Sequence, residues 1–243
     1  METLIFDLTG DLGHFRKFYT TSSPLTFSFI PPTTTFGVLG AILGLEKDNN
    51  EYIHILGEAN TKVAIGINKP VNKIRMGINL INTKGSVWVP KQRREGARTQ
   101  IRTEFLKNPS FRLYVTMEDK ELFWKLVEEV KGHKTFYTLS LGLSECLADF
   151  TFVDVENFQL IENKNSDQRE ISTVIPLSEI EWEKGIPFNQ GKKYLKERMP
   201  TRMNQQRVVQ QFEEMIFESN GGTVECTPKR WWESQNNRRI IFF

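Results

Sequence analysis

The chain has 243 residues, 32 Lys and Arg against 30 Asp and Glu, and a formal net charge of +2, a length that suits one large domain or a domain with a smaller second lobe. Hydrophobic residues at 39% and charged residues at 26% are globular values; they exclude long disorder, a collagen-like repeat and a coiled coil. Cys146 and Cys226 stand far apart and in no CxxC spacing, which excludes a disulfide framework and a cysteine-rich zinc site. There is no HExxH, no GxxxxGK[ST] and no secretion signal, and the longest apolar stretch, Phe36 to Leu45, is half the ~20 residues of a membrane span. The expectation is a cytoplasmic protein with no membrane partner, metal or cofactor.

In chain order, Thr3 to Leu8 reads as a strand with Leu4, Phe6 and Leu8 on one face, broken by Thr9 to Gly13. His14 to Ser23 mixes bases, aromatics and hydroxyls. Pro31-Pro32 stops that segment, and Thr33 to Thr35 are placed to cap a helix over Phe36 to Leu45. Its Gly37, Gly40 and Gly44 predict close packing against a sheet. A short helix over Glu51 to Leu56 carries His54 as a structural or surface residue. Strands follow over Lys62 to Ile67 and Ile74 to Ile81, then a basic segment able to return over Thr99 to Phe105 as a long protruding hairpin. Phe111 to Met117 is a strand. Asp119 to Lys131 is the strongest amphipathic helix, with Leu122, Phe123, Leu126, Val127 and Val130 on one face and Gly132 as its stop. Strands are expected over Lys134 to Leu141 and Phe150 to Leu160, and beyond them over Thr173 to Ile175, Thr223 to Cys226 and Arg239 to Phe242, with one helix around Gln206 to Phe217.

The near-neutral total conceals a strong asymmetry. Lys84 to Lys107 holds seven bases and two acids, Lys192 to Arg207 six bases and one acid, and Glu145 to Gln190 ten acids and three bases. Two blocks of +5 in an otherwise acidic chain suit a polyanion-binding face. Arginine, which forks onto phosphate and stacks on bases, outnumbers lysine in the first block and equals it in the second.

To about residue 155 the element order is that of ferredoxin-like, RNA-recognition folds. The expected fold class is α+β: a ferredoxin-like domain over 1–155 with a hairpin at about 77–107, and a smaller β-containing lobe over 156–243. Single-stranded RNA needs cations for phosphates, flat side chains for splayed bases and polar groups for base edges and 2′-hydroxyls. His14, Phe15, Arg16, Lys17 and Tyr19 with the hydroxyls of Thr20 and Ser22 supply all three. Thr34 and Thr35 at the helix start and the backbone beside Gly142 can bind phosphate through amides. Lys91, Arg93, Arg94, Arg98 and Arg102 of the hairpin complete the candidate contacts. Among Phe15, Phe18 and Tyr19, Phe18 is the ring expected to be buried.

Two stretches go beyond pattern. One is Gly13-His14-Phe15-Arg16-Lys17-Phe18-Tyr19-Thr20-Thr21-Ser22-Ser23, continued by Phe29-Ile30-Pro31-Pro32-Thr33-Thr34-Thr35-Phe36-Gly37-Val38-Leu39-Gly40; the other is Tyr137-Thr138-Leu139-Ser140-Leu141-Gly142-Leu143-Ser144-Glu145-Cys146. Together they closely resemble the CRISPR-associated family numbered five of the RAMP superfamily, its type I-B members most. The resemblance implies a subunit of the type I surveillance complex, Cascade. Such a subunit grips the 5′ handle of the CRISPR RNA (crRNA), docks on the backbone RAMP subunit and the large subunit, and meets target DNA through the assembled complex. It implies that the hairpin is a thumb folding over the RNA. One branch of the family cleaves precursor crRNA. A metal-independent nuclease would need a base, an acid and a cation, parts that His14, Tyr19 and Lys17 could play, with His133 and Lys134 a second pair. The reading preferred from the sequence is a clamp that does not cut.

Overall fold

The structure, a computed structural model, describes residues 1–81 and 98–243. The strands among them are β1 (Glu2–Gly10), β2 (Leu12–Gly13), β3 (Lys62–Ile67), β4 (Asn72–Ile81), β5 (Arg98–Lys107), β6 (Ser110–Thr116), β7 (Ala148–Glu162), β8 (Arg169–Ile171), β9 (Ile175–Pro176), β10 (Tyr194–Met203), β11 (Val209–Glu218), β12 (Val224–Cys226), β13 (Arg230–Ser234) and β14 (Arg239–Ile240). The α-helices are α1 (Pro32–Leu43), α2 (Glu51–Glu58) and α3 (Lys120–Lys131). The fold is mixed α/β and mostly strand. No helix among the described residues is long and apolar enough to cross a membrane.

A six-stranded antiparallel sheet, ordered β14-β13-β7-β1-β6-β3, organises the molecule. Period-two alternation along β1 puts Leu4, Phe6 and Leu8 on one face, where α1 and α3 pack over them through Leu39, Ile42, Phe123 and Leu126. Ile5 faces the other way, into a smaller cluster with Ala64, Tyr114, Phe158, Trp232, Ile240 and Phe242. The boundary expected at 155/156 falls inside β7, and β13 and β14 extend the same sheet. The rest of the C-terminal region has a core of its own around Ile171, Ile175, Ile216, Val224 and Trp231.

Both outer strands of the sheet are covered. Val174 N–H donates to Ile65 of β3, Ser172 N–H to Arg239 of β14, and Phe243 N–H to Val63 of β3. One short segment, 172–174, thus bridges the two outer strands and leaves little bare edge for another chain to extend.

Several elements differ from expectation. The region Gln206 to Phe217 is not a helix: from Val209 it is the strand β11, whose Gln, Glu and Met residues favour helix, but β11 pairs with β10 along its length and with β9 at Met215 and Ile216, so tertiary pairing wins. Lys134 to Leu141 is not a strand; it folds against α1, with Tyr137 N–H bonded to Ala41, and only Ser140 bridges to Leu147. Pro31, not a threonine, holds the cap position of α1, and Thr35 turns its hydroxyl onto the Pro32 carbonyl. The α1 glycines do not meet the sheet. Gly40 abuts Tyr52 of α2, Gly44 ends the helix at φ 74° against Phe136, and Gly37 touches nothing. At α3 expectation and structure agree, and Asp119 caps it by accepting from Leu122 N–H at 3.0 Å.

On the sheet, Asp7 of β1 and Arg112 of β6 are direct cross-strand partners. The guanidinium donates Nε to Oδ1 at 2.8 Å and Nη2 to Oδ2 at 2.9 Å, and Asn68 Nδ2 also donates to Oδ1. Burial raises the Asp7 pKa, but the hydrogen bonds from Arg112 and Asn68 and the Arg112 charge outweigh it and hold the carboxyl below its ordinary value. A carboxyl so depressed stabilises the fold fully above the unfolded pKa of about 3.9 and loses that contribution as pH falls through its folded value. Asp7→Asn should therefore lower stability by about 1 kcal/mol at neutral pH, with the gap closing on acidification, read from urea midpoints across pH.

Candidate nucleic-acid interface

The segment after β1 doubles back on itself. Phe15 N–H donates to Thr26 Oγ1, Phe27 N–H to Phe15 O and Lys17 N–H to Leu25 O, with Arg16 and Thr26 bridged antiparallel. This makes a small flap over residues 14–28, lying between two hairpins, β4–β5 and β10–β11.

Two carboxylates hold it there. Glu197 of β10 accepts from Lys17 Nζ at 2.8 Å, Ser28 N–H at 2.8 Å and Ser28 Oγ at 2.9 Å. Glu104 of β5 accepts from Thr26 N–H at 3.3 Å and pairs with Arg75 at 3.4 Å. Lys73 of β4 sits between them, 3.6 Å from Glu197 and 3.7 Å from Glu104, and donates to the Thr26 carbonyl. Burial pulls the Lys17 pKa down, but the hydrogen bond and charge of Glu197 leave it raised; at Lys73 burial prevails and the pKa is lowered.

This packing sorts the predicted contact residues. His14 is only 5% exposed and its Nδ1 lies 2.7 Å from the Glu104 carbonyl, so that nitrogen carries the proton and donates. Phe15 is the buried ring at 4%, against Phe111, whereas Phe18 and Tyr19 are 57% and 60% exposed. The expectation that Phe18 is buried is thereby corrected: residues 15 and 18 point to opposite sides of the flap. Lys17 is held by Glu197. Arg16 is exposed, its Nη2 touching the carbonyls of Thr20 and Thr21. Thr20 is half-buried with its hydroxyl on the Lys17 carbonyl, and Ser22 is exposed. Thr34 is half-buried, and Thr35 fully buried.

Arg98 and Arg102 are exposed on β5. In the β4–β5 register Arg102 faces Gly77 and Arg98 faces Ile81, with Arg75 opposite Glu104. One face of the ribbon is therefore cationic. The other turns Ile74, Met76 and Ile78 toward the main core. Lys91, Arg93 and Arg94 lie outside the described residues. On the second hairpin, Lys196 pairs with Glu214, while Arg198 stands over the Phe212 ring at 5.2 Å.

The sequence profile of the family described as CRISPR-associated protein (Cas_Cas5) matches residues 3–217. The chain belongs to this family. Among solved structures, a CRISPR protein from Archaeoglobus fulgidus is similar with a TM-score of 0.54 at 17% identity, over 99% of this chain and 98% of that one. A chain of a structure described as a CRISPR RNA-guided surveillance complex is similar with a TM-score of 0.53 at 9% identity, over 92% and 91%. At such identities these likenesses speak to the fold. No curated protein matches the sequence.

In this Cas_Cas5 chain the turn at Gly142 is structural as well as exposed. Its φ is 93°, and a Cβ there would lie 1.9 Å from the His14 carbonyl oxygen. His14 N–H in turn donates to Leu141 O at 2.9 Å. The second sequence motif is thus a backing for the base of the flap. A concavity of about 740 Å³ elsewhere, lined by Glu162, Asp167, Glu170, Glu225 and Glu233 against three bases, is a poor seat for phosphate.

Sequence reasoning missed Glu197, Glu104, Lys73 and Phe212. An acid inside a +5 block is the available signal for Glu197 and, more weakly, for Glu104; nothing local marks Lys73 or Phe212. Gly142→Ala should cost at least about 2 kcal/mol, since it combines a left-handed backbone with a backbone collision. A chemical-denaturation midpoint equal to the parent's would contradict this account of the turn.

Proposed function

We propose that this protein is the crRNA-binding subunit of a type I CRISPR surveillance complex acting in the cytoplasm. It grips the 5′ handle and docks on the backbone and large subunits, and through the assembled complex it meets target DNA. The observation that carries the reading is the composite face itself: in a member of a CRISPR-associated family, a flap presenting Arg16, Phe18 and Tyr19 is pinned between the cationic β4–β5 ribbon and the β10–β11 hairpin, which adds Arg198 and Phe212. Cations and open rings side by side are what an unpaired strand requires. The sheet order β7-β1-β6-β3 with α1 and α3 on one face suits a ferredoxin-like RAMP unit, in which β4–β5 would be the base of the thumb. The type I-B subtype is part of the same proposal, resting on the motif spacing.

Arg16 holds phosphate and Tyr19 stacks on a base. Removing one stacking ring costs about 1–3 kcal/mol of RNA binding. Titrating handle RNA should show weaker binding by Arg16→Ala and Tyr19→Ala variants, with a shallower salt dependence only for Arg16→Ala. Parental affinity in both would sink the assignment.

The protein is proposed not to cut RNA. The candidate trio of His14, Tyr19 and Lys17 does not converge on open space: His14 is buried with Nδ1 on a carbonyl, and Lys17 is tied to Glu197. Neither has the approach to substrate that proton transfer needs. Incubation with repeat RNA in a chelator should return intact RNA. Specific cleavage abolished by His14→Ala would overturn this.

A further inference from the structure

We infer that the β10–β11 hairpin is itself part of the single-strand site: Tyr19, Phe18, Phe212 and Arg198 form one continuous stacking ledge for about two successive unpaired bases. The inference rests on the RNA-binding reading above and extends it into a region that the sequence marked only as a basic block.

The geometry is a chain of flat groups crossing from one element to another. Phe18 and Tyr19 meet edge to face at 5.2 Å, Phe18 and Phe212 at 5.0 Å with 56° between the rings, and the Arg198 guanidinium lies 5.2 Å from the Phe212 centroid. Phe212 faces Pro200 in the hairpin register, and Arg198 sits diagonally across from it on the same side. The flap and the hairpin are joined twice by consecutive residues, Lys17 to Glu197 and Phe18 to Phe212. The first contact fixes position and the second extends the surface.

Phe18 and Tyr19, adjacent and each more than half exposed, form one of several exposed aromatic groups in the chain; what sets this one apart is its continuity with Phe212 and Arg198. The charge around them selects the occupant. Arg16 and Arg198 are exposed at or near the ledge and have no carboxylate partner among the described residues. Glu214, directly opposite Arg198 in register, is engaged by Lys196. Rings flanked by arginines fit a polyanion with flat faces better than an apolar protein surface, which would leave those charges buried without partners. Stacking is tolerant of base identity, so the ledge positions the strand without reading its sequence.

The test uses the full-length chain and an oligoadenylate ten-mer carrying 2-aminopurine at one internal position, moved along the series. Parent binding should quench emission at two adjacent positions. Phe212→Leu should weaken binding about tenfold and relieve the quench at one of them, with the salt slope unchanged because no phosphate contact is lost. Arg198→Gln, an exposed change with little bearing on folding, should weaken binding and lower the salt slope. Phe136→Leu removes a ring 72% exposed near the end of α1 and should change nothing. Parental affinity and quench in Phe212→Leu and Arg198→Gln overturn the ledge while leaving the RNA-binding reading intact. A parent chain that binds no oligonucleotide overturns both.

Discussion

The candidate face depends on one carboxylate. Glu197 draws Lys17, the Ser28 amide and hydroxyl, and more distantly Lys73 onto a single pair of oxygens. The donors come from both arms of the flap and from β4. Such a group is well satisfied and largely shielded from water, so its contribution lies in fixing geometry more than in net stability. Without it the flap would keep its internal bonds, since those to Thr26 and Leu25 are local. It would lose its orientation toward β10, and with it the alignment of Phe18 on Phe212.

This changes how the charge blocks are understood. The sequence presents bases in two runs, and a run invites the view that every base faces solvent. In the fold, some close the structure, Lys192 onto the Thr223 carbonyl, Lys196 onto Glu214 and Arg207 onto the Tyr52 hydroxyl, as do Lys17 and Lys73, outside the runs, against Glu197 and Glu104. Among the described residues, those left exposed without a carboxylate partner include an arginine-rich set, Arg16, Arg98, Arg102, Arg198 and Arg202, while Arg75 is exposed but paired with Glu104. Arginine holds its charge and its planar fork at any physiological pH, which suits it for the exposed role.

Legibility followed the range of the forces involved. β3, β6 and α3 could be read nearly to the residue because their periodicity and caps are local facts. β10 is not legible as a strand, since its charges and Pro200 disguise it, and β11 reads as a helix because its residues favour one; only their mutual pairing makes them a hairpin. The flap was recognised as a contact segment from its chemistry. Which of its side chains face outward was not readable, because that is decided by Glu104 and by Glu197, the latter 180 positions from Lys17. The Leu141-Gly142 turn was visible as a motif, and its role as a stop against the His14 carbonyl needed the third dimension.

The bridging of the sheet's outer strands has a consequence for the order in which the chain can be completed during synthesis. β1, β3, β6 and β7 are all made by residue 162, and they can pair as they emerge. Val174 then reaches β3, but β13 and β14, the Ser172 bond to Arg239 and the Phe243 bond to Val63 all wait for residues 230–243. Until then the β7 edge and the face carrying Ile5, Ala64 and Tyr114 stand open. A nascent chain paused in that interval exposes a pairing edge beside an apolar face, the combination most prone to self-association. Residues 230–243 act as a latch, closing the window of greatest vulnerability only once they have been made.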